Sequence, residues 1–108
     1  MNSIALVGRL TKDPEIRRGN EDLCIARYTL AVDRRGEGTD FLPCVAFGRG
    51  GEFAEKYLKK GMKIAVTGRL QSGSYEKDGR KIYTYDVVVE NHEFCESKKT
   101  SIDDVPWE

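Results

Sequence analysis

Aromatic and basic side chains alternate in the stretch FLPCVAFGR. If this stretch is extended, Phe41, Phe47 and Arg49 share one face with Pro43 and Val45, because successive side chains of a strand point to opposite sides. An exposed aromatic ring can stack on any unstacked base, and a guanidinium can contact a phosphate. The stretch therefore carries groups that suit a single nucleic-acid strand. The alternation alone allows either face to be the core, and the arginine favours exposure of the aromatic one.

Other side chains of the same two types are spread along the chain. Tyr75 precedes three basic residues in the stretch SYEKDGRKIY. The basic candidates for phosphate contacts, besides Arg49, are Arg9, Arg34, Arg35, Arg69, Lys77, Arg80 and Lys81. For the arginines the alternative is a solvated surface charge, and for Tyr75 it is cross-strand packing in an exposed hairpin.

The elements that must position these residues are mostly strands. Apolar and β-branched runs predict five strands, at residues 4–10, 23–32, 41–47, 62–70 and 82–90. A turn is predicted at TKDPE, after the first strand. Pro43 has no amide hydrogen, so its strand should lie at an edge or carry a bulge. Asp78 and Gly79 favour a type I′ turn, which predicts that the last two strands form a hairpin.

One segment has helical periodicity instead. In GEFAEKYLKKG two pairs of apolar residues lie four positions apart, the first being Phe53 and Tyr57, and together they form one apolar stripe. The sequence predicts a helix over residues 51–60 that ends at Gly61, with Phe53 and Tyr57 in the core. Packing in the core or at an interface is expected for three tyrosines, Tyr28, Tyr83 and Tyr85.

Two of the predicted strands share a short motif. IALVGRL at residues 4–10 and IAVTGRL at residues 64–70 agree at five of seven positions. A glycine inside a strand marks a bend, and small closed sheets need such bends, which gives Gly8 and Gly68 a geometric role. Three strands, a helix and two further strands follow the connectivity of an OB-fold. The predicted fold class is all-β: a five-stranded OB-fold barrel with one α-helix between strands 3 and 4.

The composition argues against several classes of function. The 108 residues are 39% hydrophobic and 33% charged, which suits a soluble chain with one folded domain. No apolar run could span a membrane or serve as a secretory signal, so a cytoplasmic location is expected. The three cysteines and His92 lack the paired spacing of zinc sites, and the cysteines are expected to be buried. One histidine and no nucleophile motif argue against an enzyme, and no cofactor is expected.

Five stretches of the chain resemble those of bacterial single-stranded DNA-binding proteins, in order over residues 2–94 and again at the tip. They are VGRLTKDPEIR, DFLPCVAFGR, EKYLKKG, GRLQSGSYEKDGRKIYTYDVVVE and DDVPW. The resemblance implies an OB-fold domain over residues 1–95 that binds and protects single-stranded DNA without sequence specificity, in replication, recombination and repair. It implies base stacking by Phe41, Phe47 and Tyr75. It also implies a homo-oligomer, expected to be a tetramer.

Residues 96–108 are expected to be a short, disordered tail with an acidic tip. In the family that the chain resembles, such a tip recruits replication and repair proteins. That role would fall to four residues of the tip, Asp103, Asp104, Pro106 and Trp107. The alternative is an incidental frayed terminus. Two features depart from the family: the linker before the tip is short, and Glu108 follows the aromatic residue. The loop RRGEGTD also lacks an aromatic side chain, which implies a smaller footprint on DNA.

Two other functions are weighed against DNA coating. One is an OB-fold accessory protein of the primosome type, which acts mainly through protein contacts. The other is a cold-shock-like RNA-binding module, but the chain lacks that family's paired aromatic motifs. Titration with a single-stranded oligonucleotide distinguishes DNA coating from the accessory role.

Overall fold

The computed structural model of the protein describes residues 1–95. In this range the elements are β1 (Ile4–Leu10), β2 (Glu15–Arg18), β3 (Cys24–Asp33), β4 (Thr39–Phe47), α1 (Arg49–Tyr57), β5 (Lys63–Lys77) and β6 (Arg80–Phe94). A single turn of 3-10 helix at Asn20–Asp22 connects β2 to β3. The predicted disorder of the tail lies outside the described residues.

The strands form one sheet that closes on itself. Their order is β1-β5-β6-β4-β3-β2, and β1 pairs in addition with β3. The closing contact is short, with Arg9 opposite Ala31 and Leu10 opposite Leu30. Neighbouring strands are antiparallel except β4 and β6, which run parallel. The five long strands form the predicted OB-fold barrel, with the helix after the third of them, and this prediction is confirmed.

The short strand β2 is not predicted. The expected turn at TKDPE ends at Pro14, and Glu15–Arg18 then pair with β3. Ile16 is the only residue of β2 that is not exposed. Four residues with one inward side chain give too little alternation to identify a strand, so the sequence shows only the turn that precedes it.

The core consists of side chains that point into the barrel and against α1. Along β3 buried residues alternate with more exposed ones, and Tyr28 is among the buried ones, as predicted. The largest fully buried side chains are those of Leu30, Ile64, Val66, Val87, Cys24 and Cys44. Pro43 lies in the part of β4 that pairs with β3 alone, because β6 joins β4 only at Cys44 and Val45. The predicted edge is therefore local to the first half of β4.

Gly8 and Gly68 lie where one backbone of the barrel approaches another. A Cβ atom on Gly8 would lie 2.5 Å from the carbonyl oxygen of Ala31. A Cβ atom on Gly68 would lie 2.0 Å from the carbonyl oxygen of Val88. Both distances are well below ordinary van der Waals contact, so these two positions admit only glycine without a shift of the neighbouring strand.

The two copies of the shared motif pair with each other. Ile4 lies opposite Gly68 and Gly8 lies opposite Ile64, so β1 and β5 form a ladder with a glycine near each end. The register of β5 against β6 shifts between Thr67 and Gly68, which is a β-bulge. The predicted bend is therefore present at Gly68.

The helix α1 begins and ends earlier than predicted, at Arg49 and Tyr57 instead of 51 and 60. The chain leaves the helix at Leu58, which is extended, because the next residues bond to β1: the amide of Gly61 donates to the carbonyl oxygen of Leu10 at 2.8 Å. Gly61, with a φ of 88°, forms the turn into β5 instead of ending the helix.

The two aromatic residues of α1 differ in burial. Phe53 is half-buried and packs against the core. Tyr57 is 46% exposed, so its predicted place in the core is wrong. Tyr57 lies in the last turn, where the helix has already reached the edge of the barrel.

A polar pair lies partly buried between α1 and the barrel. The Tyr28 hydroxyl oxygen lies 2.7 Å from Nε2 of His92, and the Phe53 ring stacks on His92 with 5.1 Å between centroids. Burial lowers the pKa of His92, which keeps the imidazole neutral near pH 7. A neutral imidazole offers one donor and one acceptor nitrogen, so it satisfies the buried hydroxyl.

Two of the three cysteines are buried as predicted. Cys24 and Cys44 are buried, and burial raises the pKa of the Cys44 thiol to about 12. Cys95 is exposed, because it follows the end of β6, so its predicted burial is wrong. Within residues 1–95, no three histidine, cysteine or acidic side chains are grouped so that they could hold a metal ion. In the same range, no helix has the length and apolar character to cross a membrane.

Beyond the barrel, β5 and β6 continue as a two-stranded arm, residues 71–86. Both strands have 15 residues and so extend well past the predicted ends. The turn at Asp78 and Gly79 has φ angles of 55° and 76°, which confirms the predicted hairpin. All of residues 71–81 are exposed. The arm has no apolar alternation because neither of its faces covers the core, and the sequence therefore does not show its length.

We predict that Gly68→Ala destabilises the fold by roughly 2–4 kcal/mol, because its methyl group would overlap the Val88 carbonyl oxygen. The midpoint of urea unfolding should fall accordingly. The matched control is Gly36→Ala, since a Cβ atom there would meet nothing within 4 Å. Equal midpoints for the two variants would contradict the close approach.

Candidate nucleic-acid interface

The aromatic face of β4 points outward. Phe41 is 63% exposed, and Phe47 is also exposed, whereas Cys44 and Ala46 on the other face are buried. Val45 lies between the two aromatic residues and is buried among its neighbours on the outer face. The alternation alone does not show which face of this strand is exposed, and in the structure it is the face that carries Phe41 and Phe47. The two rings are six residues apart, about 20 Å along the strand.

Strand register places Tyr75 on the same outer face. Val45 lies beside Val88 of β6, and Val88 lies opposite Arg69 of β5. From there the register of β5 and β6 continues without interruption to Tyr75, which lies opposite Ile82. Tyr75 is 52% exposed. Because paired residues share a face of the sheet, the outer face continues from β4 through Arg69 onto the arm.

The basic residues of the arm divide between its two faces. Lys77 and Arg80 lie opposite each other at the turn, on the face of Tyr75. Lys81 lies on the other face, with its Nζ 6.0 Å from the centroid of the Tyr83 ring. The sequence places all three basic residues close to Tyr75, and in the structure Lys77 and Arg80 share its face of the arm, whereas Lys81 does not.

A surface depression surrounds Phe41. Its lining includes Arg9, Lys63, Val7 and Thr39. Arg9 Nη1 donates to the carbonyl oxygen of Gly61 at 2.9 Å, which holds the side chain along the rim. Lys63 lies opposite Arg9 in the β1–β5 ladder. The predicted residues Arg9 and Phe41 are therefore brought together, and Lys63, which the sequence reading missed, joins them.

Arg34 is paired with an acid beside Phe41. Its Nε and Nη2 donate to the same Oδ1 atom of Asp40, at 3.0 and 2.9 Å. This ion pair is exposed, and it closes the loop between β3 and β4 together with the bond from the Arg34 amide to the Gly38 carbonyl oxygen. Arg35 in the same loop is exposed. A phosphate that uses Arg34 would have to compete with Asp40.

Arg49 does not lie on the aromatic face of β4. The strand ends at Phe47, and Gly48 has a φ of 63°, which breaks the alternation. Arg49 is then the first residue of α1 and is exposed. The predicted alternation therefore holds as far as Phe47 and fails at Arg49, because the chain changes direction at Gly48.

Arg27 is a second basic residue that the sequence reading missed. It lies on β3 opposite Val45, so it shares the outer face with the aromatic residues of β4. Its Nη1 lies 3.6 Å from Oδ1 of Asp86, and about half of the side chain is exposed. The alternation Ile25, Arg27, Thr29 along β3 is the signal that would have identified it.

Four predicted residues cannot be placed. Asp103, Asp104, Pro106 and Trp107 lie outside the described residues, so their role stays a prediction.

Comparison with known proteins agrees with this geometry. The model of the single-strand binding protein family matches residues 1–95. The chain belongs to this family. A single-stranded DNA-binding protein of Clostridium perfringens is 48% identical over 101 residues, which cover 90% of this chain and 67% of that protein. One of Fusobacterium nucleatum is 43% identical over 109 residues, covering 94% and 71%. The resemblance seen in the four stretches within residues 1–95 is thereby confirmed, and that of DDVPW stays a prediction.

Proposed function

We propose that this protein binds single-stranded DNA without sequence specificity and performs no catalysis. The observation that carries the proposal is the continuous outer face on which Phe41, Phe47 and Tyr75 are exposed, with Arg69 between β4 and the arm. Stacking on a ring accepts any base, and contacts to phosphate carry no sequence information. The names of the two similar proteins described above support the same function.

Basic side chains near each ring supply the phosphate contacts in this proposal. Arg9 and Lys63 adjoin Phe41, and Lys77 and Arg80 adjoin Tyr75. Between them lies Arg69, while Arg49 adjoins the Phe47 end of β4 from the start of α1. Exposed Arg35 and, once released from Asp40, Arg34 extend the contacts on the loop after β3.

We propose further that the active unit is a homo-oligomer, a tetramer by family resemblance. The inner face of the arm supports an interface, because Tyr83 and Tyr85 are exposed there, and exposed Leu70 continues the apolar surface beside Tyr85. An isolated two-stranded ribbon is marginally stable in water, so a second copy that covers these rings would stabilise the arm. Sedimentation velocity measures the number of copies.

We also propose a cytoplasmic role in replication, recombination and repair, with residues 1–95 as the DNA-binding domain and residues 96–108 as a tail that recruits partners. An acidic, aromatic tip suits a basic partner surface with an apolar pocket. The alternative, an accessory protein that acts mainly through protein contacts, would leave the exposed outer face without a ligand.

Replacing Phe41 and Tyr75 together by alanine should weaken binding of oligo-dT about tenfold or more, because each base stack is worth about 1–3 kcal/mol. Fluorescence titration at several salt concentrations measures this loss. For the unchanged protein, the logarithm of affinity should fall by about 0.7 per phosphate contact for each tenfold rise in salt.

The matched control for this experiment is Tyr57→Ala, which removes an exposed ring of α1 that lies off the outer face, and the control and the double variant are compared in the chain without residues 103–108. It should leave the affinity unchanged. If the double variant binds as tightly as the unchanged protein, the two rings are packing residues. Absence of oligo-dT binding at low salt, or preference for a duplex, would contradict the proposed function and favour the accessory role.

Asp40→Asn should strengthen binding of oligo-dT several-fold at low salt, because it releases the Arg34 guanidinium for a phosphate. The salt dependence should steepen by about 0.7, the increment for one further phosphate contact. The control is Arg34→Ala combined with Asp40→Asn, which should lose the added steepness. Equal affinity and equal slope for Asp40→Asn and the unchanged protein would show that Arg34 takes no part.

Deleting residues 103–108 should abolish the capture of replication and repair proteins from a bacterial lysate by the immobilised protein. Binding of oligo-dT should stay the same or strengthen, because the deletion removes three carboxylates and no basic residue. Mass spectrometry identifies the captured proteins. Unchanged capture of the same proteins would assign recruitment to the domain instead of the tail.

A further inference from the structure

An aromatic patch lies at the seam between the end of α1 and the end of β6, away from the outer face that carries Phe41. It consists of Phe53, Tyr57 and Phe94. The ring centroids lie 5.0 Å apart for Phe53 and Tyr57, 5.6 Å for Phe53 and Phe94, and 6.4 Å for Tyr57 and Phe94. Tyr57 is 46% and Phe94 50% exposed. The three rings contact one another, and two of them are about half exposed to solvent. Burial of this exposed aromatic surface by another apolar group would be favourable in free energy.

The surroundings of this patch are basic. Lys56 Nζ lies 5.7 Å from the centroid of the Tyr57 ring, and Lys59 and Lys60 follow in the exposed turn after the helix. Of the two acids of α1, Glu52 lies in the first turn, and Glu55 is already bound to Arg18 at 2.7 Å. The side chain of Lys60 is exposed, and its backbone amide donates to Oδ1 of Asp13 at 2.8 Å. An apolar group with flanking carboxylates would therefore match this surface.

The tail of this chain begins beside the patch and carries such groups. The Cys95 amide donates to the Lys63 carbonyl oxygen at 3.1 Å, which fixes the point where the tail leaves the barrel, next to Phe94. Trp107 follows twelve residues later, with Asp103, Asp104 and Glu108 close to it in sequence. A twelve-residue segment reaches about 40 Å when extended, so it can fold back onto the patch without strain.

We propose that residues 103–108 dock on this aromatic patch of their own chain. Trp107 covers the exposed edges of Tyr57 and Phe94, and the three carboxylates face Lys56, Lys59 and Lys60. Closing such a short loop costs little, and a tethered group is present at an effective concentration near millimolar, so a modest contact suffices. In this arrangement the tip is held off the outer face, and a protein partner must displace it from α1.

Trp107 is the only tryptophan of the chain, so its fluorescence reports on the tip alone. The full chain should show an emission maximum that is shifted to the blue, and weaker quenching by acrylamide, compared with a synthetic peptide SIDDVPWE. Tyr57→Ala combined with Phe94→Ala should move both quantities to the values of the free peptide. Emission of the unchanged protein equal to that of the peptide would overturn the proposal.

A second variant tests the same proposal without removing any of the packed aromatic rings. Reversing the three lysines, with Lys56→Glu, Lys59→Glu and Lys60→Glu, alters only exposed side chains and should release Trp107 equally. The control Phe41→Ala, on the outer face, should change nothing. Release of Trp107 by Phe41→Ala and not by the patch variants would place the tip in the DNA-binding face and overturn the proposal. A blue shift that grows with protein concentration would assign the patch to another copy and overturn it as well.

Discussion

Two backbone contacts that exclude side chains underlie the whole barrel: Gly8 against Ala31, and Gly68 against Val88. The first lets β1 approach β3 and close the sheet. The second coincides with the bulge in the β5–β6 ladder, where β6 contains an extra residue. The barrel is small, so the strands must curve within a few residues, and only the missing Cβ atom allows such an approach.

The bulge at Gly68 also separates the two surfaces of the protein. Before the bulge, Val88 faces outward beside Val45, and the outer face leads along the arm to Tyr75. After it, the extra residue shifts the alternation, so that His92 lies opposite the buried Val66 and faces α1. Phe94 follows on the same side. A single irregularity in one ladder thus directs one part of β6 to the outer face and the other to the aromatic patch.

The sequence predicts the order of the elements better than their ends. Alternation and helical periodicity identify the five long strands and α1, because those elements have one face in the core. The pattern fails where no such face exists, as in the arm, or where only one side chain points inward, as in β2. It also misses changes of direction, and for this reason the alternation wrongly places Arg49 on the face of Phe47, where the strand ends. Long-range pairs such as Arg34 with Asp40 and Tyr28 with His92 depend on rotamers and closure, which no local pattern contains.

The last described residue, Cys95, lies between the two surfaces. Lys63 holds the Cys95 amide through its carbonyl oxygen, and its side chain lines the depression around Phe41. The two surfaces differ in chemistry: the patch has three rings in contact and three lysines near it, whereas the depression has one ring and two basic residues, Arg9 and Lys63, together with the acid Asp33. Because a single apolar ring gains most where it meets several others, the contact with the larger aromatic area is favoured.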